Sequence, residues 1–399
     1  MKISFLVRWL PPKIDGVGDY TWNLACALRD YDIDARVFTS EEQQGSKDLP
    51  PHQCIGGGGL LKNEWIFPVI KQWEAQAIVK VLKSVTGQAP DWLCFQFVPQ
   101  LYGRWCIAWQ VPDILAALKK EFRCNIAVAF HEFISNWGIG PKDVFLASAT
   151  RLQTKRMLSE TDLAITTCVR YKDTLQHLSS HPLSVVTIPV GSNIEPVFIA
   201  PEELVMLRRQ IFPDGARVFG LFSRLCPARN FSFAVKALQR ARQQGLDAWL
   251  YLIGRVESSN PKLFKELMQL ADKLKVKSRI VASGELSSKD MSIHLRLVDV
   301  FIFPQVDGIS TRNTALMAAM AHGLPVVSFK PQNGNFDNFY IPCGILVDRG
   351  DEEGFIQAAV ECLKNSDNLL KAAFVNSDYY YKNFSWPIIA KEYIKALKA

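Results

Sequence analysis

The residues with the clearest chemical potential are arginines and small polar residues that follow apolar runs. The run Val218–Phe222 is followed by Ser223, Arg224, Arg229 and Asn230. Two guanidiniums beside a helix start suit a diphosphate, because each offers a fixed fork of N–H donors and the helix end adds partial positive charge. The alternative is a pair of solvated surface arginines. A second run, Val298–Phe303, leads through Asp307, Gly308, Ser310, Thr311, Arg312, Asn313 and Thr314 into a small, apolar stretch that stops at Gly323 before Pro325. Asp307-Gly308 predicts a turn, with Ser310 and Thr311 where an N-cap belongs. A buried helix whose start carries hydroxyls, a guanidinium and an amide reads as an oxyanion cradle.

Two weaker signals lie nearer the N-terminus. Pro11 to Thr21 holds Gly16 and Gly18 after the first apolar run, and glycines in a strand-to-helix turn let backbone approach a ligand. The spacing is neither a dinucleotide fingerprint nor a Walker A loop, so an ordinary turn explains it as well. His131 and Glu132 follow Ile126–Phe130; the histidine is either structural or ligand-facing at a strand end. Asp32 and Asp34 match the letters of a metal-binding Asp-x-Asp, but they fall between a helix and a strand and read as structural. No metal site or other cofactor is expected.

The elements that must position these residues alternate throughout. Ile3–Val7, Ala35–Thr39, Trp92–Phe97, Ile126–Phe130, Leu163–Thr167 and Val185–Ile188 read as buried strands, with Tyr20–Leu28 as the first helix. A second series follows: Val218–Phe222, Trp249–Ile253, Ile280–Ala282, Val298–Phe303, Val326–Ser328 and Ile345–Val347, with helices over Asn230–Gln243, Pro261–Leu274 and Ser287–Leu297. Strands apolar throughout and separated by helices indicate parallel sheets covered on both faces. The expectation is an α/β chain of two doubly wound, Rossmann-like domains, over 1–195 and 196–385, parted near Gly191–Pro201. A last helix over Trp386–Lys398 is expected to pack back on the first. Ligands of such sheets sit at the carboxyl ends of the strands, where the residues above fall. Gly56–Gly59 reads as a loop tip.

Composition sets the outer bounds. The 399 residues carry a net charge of +7, 48% hydrophobic and 21% charged residues, which suits a globular protein handling anions. Charges of both signs are interleaved, so a nucleic-acid partner is not expected. Nine cysteines include no C-x-x-C pair, and several sit in apolar runs, which points to a reducing, cytoplasmic setting. The apolar start Met1–Val7 is cut short by Arg8, Pro11 and Pro12, so neither a leader nor a membrane span is expected. Trp65, Trp73, Trp105 and Trp109 are either core or a contact to lipid-linked glycan at the inner membrane face.

The chain resembles the family-4 (group 1) retaining glycosyltransferases of the two-Rossmann GT-B class. Ser223-Arg224-Leu225 with Arg229-Asn230 is similar to the family's Gly-Arg-Leu…Lys-Gly/Asn donor loop, with Arg229 in the place of lysine. Met317 to Val327 resembles Leu-Glu-Ala-Met-Ala-x-Gly-x-Pro-Val-Val, and Gly344-Ile-Leu-Val347 matches the hydrophobic run that follows. The stretch from Asp307 to Pro325 resembles a bacterial exopolysaccharide subgroup that includes cyanobacterial heterocyst-envelope genes. The family's paired glutamates fall here on Ser310 and Ala318, leaving Asp307 as the nearest acid. The resemblance implies a nucleotide-sugar donor, UDP-glucose by family weight, and transfer of hexose with retention to a glycan or lipid-linked acceptor. It implies His131 on the donor sugar, Arg224 and Arg229 on the leaving diphosphate, the base near Gly254, Gly284 and Leu286, and the Gly16/Gly18 loop on diphosphate or acceptor. The altered glutamates keep two alternatives open: a non-catalytic nucleotide-sugar binder and a nucleotide-sugar 2-epimerase.

Overall fold

The computed structural model describes residues 1–11, 13, 15–41, 64–87, 89–133, 140–222, 225–331 and 339–399. The Gly56–Gly59 run, Ser223 and Arg224 lie outside the described residues. The chain divides into two compact units, Met1–Val190 with Trp386–Ala399, and Gly191–Ser385.

The first unit opens with β1 (Lys2–Leu6), α1 (Gly16–Arg29), β2 (Asp34–Ser40), β3 (Ile66–Ile70) and α2 (Ala75–Thr86). It continues through β4 (Trp92–Phe97), α3 (Pro99–Tyr102), α4 (Gln110–Phe122), β5 (Asn125–Phe130) and α5 (Pro141–Leu158). β6 (Leu163–Thr166), α6 (Val169–Leu178) and β7 (Ser184–Thr187) complete the sheet, whose parallel strands run β3-β2-β1-β4-β5-β6-β7. Strands such as β4 and β5 are apolar because helices cover both of their faces.

Sequence periodicity passes over β3, and Pro68 shows why. A proline cannot donate to a ladder and is tolerated at a sheet edge, which is where β3 lies. Trp65 and Trp73, on either side of it, are buried, with Trp73 donating from Nε1 to Ser40 Oγ at 3.0 Å. They are core residues, whereas Trp105 and Trp109 are exposed.

The second unit begins with α7 (Pro201–Ile211), β8 (Arg217–Phe222), α8 (Phe231–Gln243), β9 (Ala248–Ile253), α9 (Val256–Ser259) and α10 (Pro261–Lys273). Then come β10 (Ile280–Ala282), α11 (Ser288–Leu295), β11 (Val300–Phe303), α12 (Thr314–Ala321), β12 (Val326–Phe329) and β13 (Gly344–Val347). The sheet order is β10-β9-β8-β11-β12-β13, parallel throughout, so strand order reverses between β8 and β11. α13 (Glu352–Lys364) covers this sheet and α14 (Ser366–Asn383) packs on α12. α12 buries every residue from Ala315 to Ala321; its leucine and methionines contribute about 1.5–3 kcal/mol each on that basis.

The final helix, α15 (Trp386–Lys398), belongs to the first unit. Its buried Ile389, Tyr393 and Leu397 repeat at helical spacing against α1. Trp92 Nε1 closes the contact by donating to the Leu397 carbonyl at 3.0 Å.

Candidate functional site

The loops after β8 and β11 flank the strand-order reversal of the second unit, the place where open parallel sheets bind ligands. Backbone pairing holds them side by side. Val306 N donates to Ala228 O at 2.9 Å and Asn230 N to Pro304 O at 3.0 Å, and Arg229 faces Gln305 in an antiparallel bridge. Arg229 Nε donates to Gln305 Oε1 at 3.0 Å, while its guanidinium lies 5.7 Å from the Phe303 ring centroid. A half-buried arginine anchored in these two ways is oriented rather than freely solvated. It also borders a pocket of about 290 Å³ shared with Asn230 and with Glu266 and Leu270 of α10.

The β11–α12 loop departs from its sequence reading. The N-cap of α12 is Asn313, not Ser310 or Thr311. Ser310 instead closes a turn before the helix: its carbonyl accepts from Asn313 N at 3.1 Å and its Oγ from Arg312 N at 3.4 Å. Asn313 does not cap through its side chain; its Oδ1 is buried and has no hydrogen bond among the described residues. Thr311 is buried, and Thr314 is the first helical residue. Asp307 and Arg312, both candidate ligand-facing residues, instead form an ion pair with each other at 3.5 Å. Each therefore offsets part of the other's field.

Gly308 fixes the course of this loop. Its φ is +76°, and a Cβ there would lie 2.0 Å from the Lys330 carbonyl oxygen. Further along α12, Ala318 is fully buried and offers no polar side chain. Its carbonyl accepts from His322 Nδ1 at 2.7 Å, which puts the ring proton on Nδ1 and leaves Nε2 to accept from Ser292 Oγ at 2.8 Å. Burial lowers the His322 pKa to about 4. This histidine ties α12 to α11 and is structural.

The ends of β9 and β10 meet through Gly254 and Gly284, paired in an isolated bridge with φ of +85° and +73°. Gly254 N donates to Ser283 Oγ at 2.9 Å, so that amide is already engaged. Arg255 pairs with Glu285 beside it, and Leu286 follows, half-buried.

In the first unit, Gly16 and Gly18 lie in the opening turn of α1 rather than in a loop before it. Asp15 is the N-cap, and its Oδ2 accepts from Gly18 N at 2.8 Å. A Cβ on Gly18 would lie 2.5 Å from the Trp9 carbonyl oxygen, so this glycine serves close packing of its own loop. Asp19 stands beside it, its pKa pushed up to about 7 by burial and then by the charge of Asp15. Asp15 and Asp19 thus place two carboxyl groups in the turn that opens α1.

His131 sits at the carboxyl end of β5, where its Nε2 hydrogen-bonds Gln96 Oε1 at 2.9 Å. An amide oxygen only accepts, so Nε2 carries the proton and Nδ1 is a bare acceptor. Burial lowers the His131 pKa to about 4 and keeps the ring neutral. Tyr20 stands edge-on to it at 4.8 Å and meets Tyr393 of α15 through their hydroxyls at 3.2 Å. Sequence reasoning missed Gln96 and Tyr393. A glutamine inside the otherwise apolar Trp92–Phe97 was the available signal for the first; nothing local marked the second.

His131 thus belongs to the first unit, and Arg229 and Asp307 to the second. Asp34 is a structural residue, paired with Arg36 at 3.0 Å. Among the described residues, no three His, Cys, Asp or Glu side chains gather as a metal site would require, and no helix is long and apolar enough to cross a membrane.

Residues 216–365 match the family of Glycosyl transferases group 1. No curated protein matches the chain. Its fold is similar to that of HepE from Anabaena, solved in complex with UDP and glucose, with TM-score 0.69 and 15% identity over 100% of this chain and 99% of that one. A sucrose-phosphate synthase from Thermosynechococcus elongatus gives TM-score 0.72 and 16% identity over 100% and 98%. A glycosyltransferase from Rickettsia africae gives 0.69 and 15% over 100% and 97%.

Proposed function

We propose that the chain, whose residues 216–365 match the Glycosyl transferases group 1 family and whose fold is similar to that of HepE, is a glycosyltransferase that transfers a hexose from a UDP-sugar to a glycan with retention and without a metal ion. The observation that carries this reading is Arg229, fixed by Gln305 where the strand order of the donor-type sheet reverses. UDP and glucose together in the HepE complex favour UDP-glucose as the donor.

Breaking a glycosyl–phosphate bond builds negative charge on the diphosphate and positive charge on the sugar. Arg229, already oriented, stabilises the leaving group without reorganising during the reaction, and amides at the start of α12 assist it. A guanidinium supplies this charge where other enzymes use a divalent ion. His131 is neutral and bears an acceptor at Nδ1, which suits a sugar hydroxyl. The departing phosphate takes the acceptor's proton, so no strong side-chain base is required.

The Asp307–Arg312 ion pair and the buried Ala318 favour one second reading, a protein that binds nucleotide sugar without transfer. Nucleoside diphosphate release from UDP-, GDP- and ADP-sugars in EDTA, with and without glycan acceptors, separates the two. Release from one donor, giving a product of unchanged anomeric configuration by NMR, supports the enzyme. Binding without release supports the binder, and release only with added manganese or magnesium contradicts the metal-free reading.

A further inference from the structure

We propose that the exposed face of α5, with the turn over residues 103–109, docks the first unit on a bilayer surface bearing anionic headgroups. This stands apart from the transfer chemistry. α5 buries Leu146, Ala149, Gln153 and Met157 on one side. Its other side exposes Val144 (57%), Phe145 (67%) and Leu152 (53%). Lys142, Arg151, Lys155 and Arg156 are exposed among them, and the spacing of three and four residues puts cations and apolar groups on one stripe.

The neighbouring turn adds two tryptophans. Trp105 is 62% exposed and Trp109 38%, and each lies by a cation of α5: Lys142 Nζ is 3.9 Å from the Trp105 ring centroid and the Arg156 guanidinium 6.0 Å from that of Trp109. The turn has an unfavourable backbone conformation. Trp105 and Cys106 are consecutive non-glycine residues at φ of 55° and 63°, and a Cβ on Gly103 would lie 1.7 Å from the Ile107 carbonyl oxygen. A hydrogen bond of 2.5 Å from Ala108 N to Gln153 Oε1 fastens it to α5. Strain that presents a large apolar ring to solvent calls for a partner that takes the ring up.

Charge selects that partner. The acids at this face are Asp143, half-buried, and Asp113, which pairs with Arg156 at 2.8 Å. They are outnumbered by Arg104, Lys142, Arg151, Lys155 and Arg156. Tryptophan with interleaved lysine and arginine matches a headgroup layer, where rings sit at the boundary and long cations reach phosphate. A protein–protein interface is instead depleted in lysine, and here Lys142 and Lys155 are exposed on the patch.

The test is co-sedimentation of the full chain with phosphatidylcholine vesicles and with vesicles containing phosphatidylglycerol. Wild type is expected on the anionic vesicles, more weakly as salt rises. K142E/R151E and W105A/F145A should each bind on the order of tenfold less at unchanged melting temperature, since all four side chains are exposed. Brominated acyl chains should quench wild-type fluorescence more than that of W105F. No vesicle binding, binding unaffected by both double variants, or association of chain copies through this face without vesicle binding would overturn the proposal.

Discussion

Gly308→Ala tests whether the β11–α12 loop has the single course described above. Alanine at φ +76° costs about 1–2 kcal/mol for the left-handed conformation alone. The added methyl would also lie 2.0 Å from the Lys330 carbonyl oxygen and 2.6 Å from its carbon, backbone atoms that no rotamer change can move. Relief requires shifting the loop, which strains the bonds on either side: Gly308 N to Gln305 O at 2.9 Å and Ile309 N to Phe329 O at 3.1 Å. At about 1 kcal/mol each, their weakening brings the total to about 3–4 kcal/mol. For a unit of this size that lowers the melting temperature by about 6–15 °C, and donor affinity should fall with it because Gln305 orients Arg229. Gly16→Ala is the control, since a Cβ there meets nothing within 4 Å and the change should stay within about 1 kcal/mol. Differential scanning calorimetry of both variants decides the matter. A Gly308→Ala protein melting within about 2 °C of wild type would refute the loop geometry.

Arg229→Ala should lower kcat on the order of 10²–10³-fold, the loss seen when one fixed donor to developing charge is removed, while the circular dichroism spectrum stays unchanged; activity near wild type would remove the arginine from the mechanism. Glu195→Gln addresses pH. Burial raises the Glu195 pKa to about 7, so its protonated form favours folding below pH 4.5 and that contribution is lost as pH rises through 7. The variant, whose amide oxygen can still accept from the Tyr380 hydroxyl (now 3.2 Å from Glu195 Oε1), should melt higher than wild type at pH 8 and not at pH 5. An equal shift at both values would contradict the assignment.

Much of the architecture was legible because parallel strands buried on both faces are continuous apolar runs. Trp92–Phe97 and Ile280–Ala282 could be read at their observed bounds. Edge strand β3 was hidden by Pro68 and by tryptophans that a one-dimensional reading cannot place inside or outside. Helix starts were less legible, because capping depends on geometry. Asp15 draws the start of α1 back to Gly16, and the Ser310 turn pushes the start of α12 forward to Thr314. The loop carrying Arg229 announced itself by cations after an apolar run, but its partner Gln305 did not. Tyr20 and Tyr393 come from opposite ends of the chain, a pairing that no local pattern encodes.

The most direct test of the central claim is a thermal-shift panel of UDP-, GDP- and ADP-sugars on the wild-type chain and Arg229→Ala, in EDTA. A ligand at a hundred times its Kd stabilises by about 2.7 kcal/mol, or about 5–10 °C for a domain of this size. The account predicts such a shift with a UDP-sugar, undiminished by EDTA and reduced in Arg229→Ala. No shift with any nucleotide sugar, or one that appears only when a divalent ion is restored, would contradict it.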